Sequence, residues 1–308
     1  MVAQANVSGD VRFLQPEVVS KISSLEMVAR FIVEGFMIGL HRSPYHGYSV
    51  EFSAYRKYSP GDDFRFIDWK VYARTDRYYV KEFEENTNLN CHLLLDCSGS
   101  MSVGEEVTKF RYGQCLVAAL AHLMIRQGDQ VGLVGFSDRE VNVLPPGGGT
   151  VQLRQVLAEL DRMKPEGETS PGEALYNAAD RCKRRGLVVI VSDLLVEPEN
   201  VMEVFKRFRY RGHEVIVFHL LAAEEKDFPF TRQVEFIDAE TSERLVTHAG
   251  YIRDDYLEAL ERHVEALRDG CRDHAIELVE LSTADSLGTV LSEYLAKRMA
   301  YRQPVAAG

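Results

Sequence analysis

Residues 91–101 read Cys91-His92-Leu93-Leu94-Leu95-Asp96-Cys97-Ser98-Gly99-Ser100-Met101. The stretch is an apolar run that breaks at an acid and opens into a Ser/Gly loop. Short apolar runs bounded by turn residues read as buried strands. A helical pattern follows from about Thr108 to Gln127, and Val131–Phe136 is the next strand. Glu140–Leu144 reads as a hairpin arm turning back, and Pro145-Pro146-Gly147-Gly148-Gly149 as a hard stop before a helix over Val151–Met163. A helix over Gly172–Arg185 leads into the most apolar strand, Leu187–Val191; Pro198–Arg211 is helical and Val215–Leu221 is a strand. This alternation predicts an α/β fold, doubly wound around a mostly parallel sheet covered on both faces.

Working outward, Val234–Ile237 and Arg244–Val246 flank a polar turn, which predicts a β-hairpin insertion at about 230–250. Tyr251–His274 is a long helix with a core stripe at Tyr256, Leu260, Val264 and Leu267. Ile276–Leu281 is a last strand and Ser286–Tyr301 a closing helix. Upstream, residues 16–40 carry an amphipathic helical period through Val18, Val19, Ile22, Leu25, Val28, Ala29, Ile32 and Val33. Tyr48, Val50 and Phe52 alternate as in a strand, and Ser59-Pro60-Gly61-Asp62 supplies a turn. The expected organisation is a helical and β-rich region over 1–90 packed on a main domain over 91–301, with 302–308 as a tail.

Composition narrows the function classes. With 308 residues, 45% hydrophobic and 27% charged, the chain has the profile of an ordinary globular protein. No apolar run reaches the ~18 residues of a membrane helix, and no secretory signal opens the sequence, so a cytoplasmic location is expected. Five cysteines, with no Cys-x-x-Cys pair, read as buried free thiols. A formal charge of −11 argues against binding nucleic acid through the whole protein. Residues 54–81 are the exception, with seven basic side chains interleaved with Tyr55, Tyr58, Trp69, Tyr72, Tyr78 and Tyr79. Four aspartates sit among those bases, so a small β-rich element anchored by Trp69 is the reading preferred over a nucleic-acid surface. Lys183-Arg184-Arg185 is read as the basic end of a helix.

The chemistry gathers at Asp96-Cys97-Ser98-Gly99-Ser100. In a loop, residues two apart can face one side, so a carboxylate and two hydroxyls can converge, a donor set suited to a small hard cation such as Mg²⁺. The alternative is that Ser98 and Ser100 cap the next helix while Asp96 binds backbone amides. Two further elements add oxygen donors: Thr169, within Gly167-Glu168-Thr169-Ser170-Pro171, and Asp193, just after the strand 187–191. Asp96 and Asp193 then end two strands expected to be neighbours, at the crevice side of such a sheet.

In order and spacing, these three elements resemble the metal-ion-dependent adhesion site of the von Willebrand factor A-like (Rossmann-like) fold. The resemblance implies Ser98, Ser100 and Thr169 as direct ligands, with Asp96 and Asp193 holding the ion mainly through water. Mg²⁺, or another divalent cation such as Mn²⁺ or Ca²⁺, would be the cofactor. The upstream residues Gly47, Glu51-Phe52, Arg56, Tyr58, Gly61-Asp62-Asp63, Arg65, Ile67-Asp68-Trp69 and Ala73-Arg74 are similar to those of a bacterial family of unknown function. Its members contain such a domain and are typically encoded beside MoxR-type AAA+ ATPases. Leu194 departs from the wider pattern, which often has glycine after the last aspartate, and Glu168 adds a charge beside Thr169.

The expected function is non-enzymatic: a metal-dependent protein–protein interaction module, an adaptor or chaperone-like factor for a MoxR-type AAA+ ATPase or a client. Contact would run through an acidic side chain of the partner, with no catalytic residue, no nucleic acid and no membrane span. A metal-dependent hydrolase using the same site is the alternative. Against it, Ser98 stands where a phosphohydrolase of the paired-aspartate kind would place its second acid, and no Gly-x-Ser-x-Gly elbow or Gly-x-x-x-x-Gly-Lys-Ser/Thr loop occurs.

Overall fold

The computed structural model describes residues 24–42, 55–57, 72, 74, 77–81, 89–137, 140–166, 171–182, 184–239, 241 and 243–291. The chain divides into two compact units, one formed by Met1–Gly39 with Leu89–Gly308 and the other by Leu40–Asn88. The boundary therefore falls inside the region expected to act as one N-terminal block. Helix α1 (Leu25–Arg42) explains why. Its stripe of Leu25, Val28, Ala29, Ile32 and Val33 is sealed from solvent, and most of its length groups with the sheet. Residues 16–23 of the expected helix, the strand over 48–52 and Trp69 lie outside the described residues.

In the unit over 40–88, β1 (Tyr55–Lys57) and β2 (Tyr79–Lys81) form an antiparallel ladder with Arg56 opposite Val80. Tyr72 stacks on Tyr78, with ring centroids 4.5 Å apart.

The larger unit is built on a six-stranded sheet. Its strands are β3 (Asn90–Asp96), β4 (Gln130–Phe136), β5 (Glu140–Gly147), β6 (Leu187–Ser192), β7 (Glu214–Leu221) and, later in the chain, β10 (Glu277–Ser282). They lie in the order β10-β7-β6-β3-β4-β5. All neighbours are parallel except β5, which runs back along β4. The chain winds from β3 outward through β4 to β5, then returns past β3 and winds the other way through β6, β7 and β10. That reversal puts the carboxyl ends of β3 and β6 side by side, Leu95 opposite Val191. In an open α/β sheet this is where a ligand crevice forms.

β5 extends through Pro145 and Pro146 to Gly147, past the point where the prolines were expected to stop it. It is the edge strand, so prolines there forfeit no inner ladder bond, and the pairing absorbs them with a register shift between Val131 and Leu133.

Helices cover both faces. α2 (Lys109–Arg126) begins at Thr108, whose hydroxyl accepts from the Arg111 N–H at 3.1 Å. Gly113 lets α2 lie close to the sheet: a Cβ there would come within 2.9 Å of Leu95 Cδ1. α3 (Gly149–Arg162) joins α2 through the Gln114 side chain, which donates to the Leu160 carbonyl at 2.6 Å. Across the sheet, α4 (Pro171–Arg181) and α5 (Pro198–Tyr210) supply Leu175, Ala178, Val201, Phe205 and Phe208 to a core with Leu94, Val188, Ile190 and Val217.

α4 ends at Arg181, so Arg184 and Arg185 lie beyond it rather than in its last turn. The positive charge at its carbonyl end comes from Arg181 in its last turn and from α5's C-cap, Arg211, whose guanidinium donates to the Ala179 carbonyl at 2.6 Å.

After β7 comes the short helix α6 (Ala223–Asp227), then an antiparallel hairpin of β8 (Gln233–Ile237) and β9 (Arg244–His248), at the expected insertion. Phe236 of the hairpin stacks on Phe228, which also meets Tyr256 of α7 (Ala249–Asp273). Along α7, Val264 and Leu267 are buried. A final helix is described over 287–291, where Leu287 and Leu291 are buried. No helix among the described residues is long and apolar enough to cross a membrane.

Candidate metal-binding rim

β3 delivers Asp96 to the crevice almost wholly buried, at 1% exposure. Its Oδ1 accepts the Ser98 N–H at 2.9 Å, an Asx-type closure that folds the loop back over the strand end. Its Oδ2 accepts the Ser192 hydroxyl from the neighbouring strand at 2.5 Å. The carboxylate is thus clamped between β3's own loop and β6. A single 3-10 turn over Gly99–Ser102 then brings the Ser98 and Ser100 hydroxyls into a hydrogen bond with each other at 3.0 Å. Ser98 makes no side-chain bond capping that turn, so the capping alternative does not describe it. Asp96 does bind a backbone amide, as that alternative expected.

Asp193 follows β6 directly and is fully buried. Its Oδ2 accepts from the Lys109 ammonium at 2.7 Å, and the same ammonium reaches Glu225 Oε1 at 2.7 Å. Two histidines fix the backbone of this turn: His219 Nε2 donates to the Asp193 carbonyl and His263 Nε2 to the Leu194 carbonyl, each at 2.9 Å. Leu194 has φ +49°, in the left-handed region that favours glycine. The departure from the resembled pattern is therefore accommodated with the glycine-like backbone kept and a buried leucine side chain placed on it. Thr169 lies outside the described residues.

The electrostatics follow from burial. Desolvation, and then the charge of Asp193, push the Asp96 carboxyl well above the ordinary carboxylate range, against the lowering by hydrogen bonds from Ser192 and Ser98. Burial alone would lower the Lys109 ammonium, but Asp193 and Glu225 outweigh it and raise it, so the lysine stays charged. Burial, then the charge of Asp96, push the Cys97 thiol up to about 12, which makes it an inert neighbour of the loop. All five cysteines are buried and free.

The donor set fits a small hard cation in two respects. Two oxygens at right angles on a Mg²⁺ octahedron, each at roughly 2.1 Å, are about 3.0 Å apart, so the two serine hydroxyls, hydrogen-bonded to each other at 3.0 Å, are already at a spacing an ion could take over. Three carboxyl groups, those of buried Asp96 and Asp193 and of partly exposed Glu225, meet one ammonium, that of Lys109, an excess of acid that a divalent ion would offset. Among the described residues no group of three or more His, Cys, Asp or Glu is placed to hold a metal, so the rim is not a zinc-type cage. A cleft of about 410 Å³ lies elsewhere, along β10 and residues 284–290, and none of the rim residues lines it.

Sequence reasoning missed Lys109, Ser192, Glu225, His219 and His263. Lys109 did carry a signal: a cation at the first position of a helix, where the dipole disfavours it. The two histidines and Glu225 are far from the motif in sequence and gave none.

The strand order, the crevice and the hydroxyl-bearing loop define a von Willebrand factor A-like α/β domain. The chain belongs to the family described as "Protein of unknown function DUF58", which matches residues 54–266. It is similar to the uncharacterized protein Rv1480 of Mycobacterium tuberculosis, 27% identical over 274 residues, spanning 87% of this chain and 86% of that one. It is also similar to the uncharacterized protein YeaD of Bacillus subtilis, 31% identical over 119 residues, 38% of this chain and 28% of YeaD. Among solved structures it is similar to the conserved hypothetical protein BatB of Bacteroides thetaiotaomicron, at TM-score 0.47 and 15% identity over 69% of this chain and 99% of that one. The SpRpn10 VWA domain matches at TM-score 0.41 and 14% identity, over 67% of this chain and 94% of that one.

Proposed function

We propose that this protein is a non-enzymatic recognition module whose rim binds Mg²⁺, or Mn²⁺ or Ca²⁺ in its place, and through it an acidic side chain of a partner protein. The observation that carries this reading is the Ser98–Ser100 hydroxyl pair, 3.0 Å apart beside a buried carboxylate that is already hydrogen-bonded on both oxygens. Neutral direct ligands leave a bound cation most of its charge, and an octahedral ion completes its shell with oxygen from outside. Thr169 would join the two serines as a direct ligand, while Asp96 and Asp193 would act through water.

The partner proposed is a MoxR-type AAA+ ATPase or its client, with this chain as adaptor or chaperone-like factor in assembly or maturation in the cytoplasm. Support for the ATPase comes from the family resemblance in the upstream segment and from the lack of a phosphate-binding loop in this chain. The hydrolase alternative gains nothing from Cys97, whose thiol is held protonated.

The test is capture from native cytosol by the full chain with Mg²⁺ and with EDTA, beside Ser98→Ala and Asp96→Ala. An ATPase or its client recovered by the wild type in Mg²⁺ alone, and by neither variant, supports the reading. Equal recovery in EDTA, with circular dichroism showing the fold intact, overturns it. Metal-dependent turnover of phosphate or ester substrates that Asp193→Ala abolishes would establish the hydrolase instead.

A further inference from the structure

Lys109 is a charged rim residue that the proposed chemistry does not use. Its side chain is fully buried, and its ammonium lies 2.7 Å from Oδ2 of Asp193 and 2.7 Å from Oε1 of Glu225. It stands at the first helical position of α2, immediately after the cap Thr108, where the positive end of the helix dipole opposes it. The other oxygen of Glu225 accepts the Ala222 N–H at 2.8 Å, which fixes that carboxylate at the start of α6. A buried cation placed against a dipole and held by two acids on separate elements has a defined position.

From this geometry we infer that Lys109 is a resident counter-ion that limits how tightly the rim holds a divalent cation, so that firm retention requires a carboxylate from a partner. The inference rests on the reading of the rim as a cation site. Hydroxyl ligands bring no charge, so affinity depends on the uncoordinated carboxylates nearby. Lys109 cancels one unit of that charge and occupies the Oδ2 atom of Asp193 with a hydrogen bond. Glu225 moderates the effect by drawing the same ammonium toward α6. Removing the lysine and removing Glu225 must therefore move cation affinity in opposite directions. A lysine that served only to hold the fold would give no such pair of signs.

The experiment is calorimetric titration of the full chain with MgCl₂, and separately MnCl₂, for the wild type, Lys109→Met, Lys109→Arg and Glu225→Gln. Melting temperature against MgCl₂ is the second readout. A unit charge removed from the rim predicts binding tighter by about tenfold or more in Lys109→Met, weaker by about threefold or more in Glu225→Gln, and within about threefold of wild type in Lys109→Arg. Wild-type binding with Lys109→Met equal or weaker overturns the inference while leaving the cation site standing. Should Lys109→Met not fold, Glu225→Gln decides, and unchanged or tighter binding overturns the inference. No heat and no melting shift with either metal in any folded variant removes the cation site, and the inference falls with it.

Discussion

The ammonium of Lys109 and Oδ2 of Asp193 are 2.7 Å apart, and neither side chain reaches solvent. Because Glu225 shares the same ammonium, two carboxylates depend on one cation for compensation. Removing one partner of a buried pair strands the remaining charge, which typically costs about 3–5 kcal/mol. Lys109→Met is expected to lose stability in that range, measured by urea unfolding in EDTA so that no cation substitutes for the lysine. Adding Asp193→Asn to it should recover part of the loss. A loss under about 1 kcal/mol would mean that the pair is open to solvent after all.

The same pair marks where sequence reading stops. β3, β4, β6, β7, α2 and the hairpin were legible because their signals are local: apolar runs of strand length, a 3.6-residue period, a polar turn between two short arms. The topological switch was legible too, since alternation alone puts Asp96 and Asp193 at strand ends. Lys109 meets Asp193 across 84 positions and Glu225 across 116, and no period connects them. The path of β5 through Pro145 and Pro146 was hidden because its tolerance depends on β5 being the edge strand, a property of the sheet rather than of the segment. The basic end of α4 was assigned to Lys183–Arg185 because the helix was read four residues too long; Arg181 closes its last turn, and Arg211 reaches the Ala179 carbonyl through space.

Leu194 gives a prediction that inverts an ordinary rule. A buried leucine truncated to alanine costs about 2–5 kcal/mol, and glycine is usually worse than alanine by about 0.4–1 kcal/mol through the unfolded chain. At φ +49°, however, alanine retains a left-handed penalty of roughly 1–2 kcal/mol that glycine escapes. Leu194→Gly should therefore melt at or above Leu194→Ala, with both below the wild type. Thermal denaturation of the two variants measures the order. Alanine clearly above glycine would show that the turn is not held in that conformation.

Thr108 determines how α2 begins, and with it where Lys109 emerges. Its hydroxyl accepts from the Arg111 N–H at 3.1 Å, satisfying one of the first-turn donors. Loss of such a cap costs about 1 kcal/mol. Thr108→Ala should show that loss in denaturant unfolding, and Thr108→Ser should remain near wild type because the accepting oxygen is kept. Equal losses in both variants would assign the effect to the methyl group instead.

His92 and His213 lead to a pH prediction. His92 is buried on β3, and its ring meets that of His213 edge-on at 6.2 Å. Burial, with a smaller contribution from the charge of His213, brings His92 down to about 4 from 6.5, and burial likewise lowers His213. Between about pH 6.5 and 4 the unfolded chain binds the proton that folded His92 refuses, so stability rises with pH across that window. The contribution is complete above pH 6.5 and is lost as the solution is acidified through it. At pH 5 the shift amounts to about 2 kcal/mol lost relative to neutral pH. His92→Gln keeps a polar side chain but cannot titrate. Its stability difference between pH 7 and pH 5, from urea midpoints, should shrink by about that amount, with His213 leaving a residual slope. An acid limb as steep in His92→Gln as in the wild type would mean that the acid sensitivity comes from other groups.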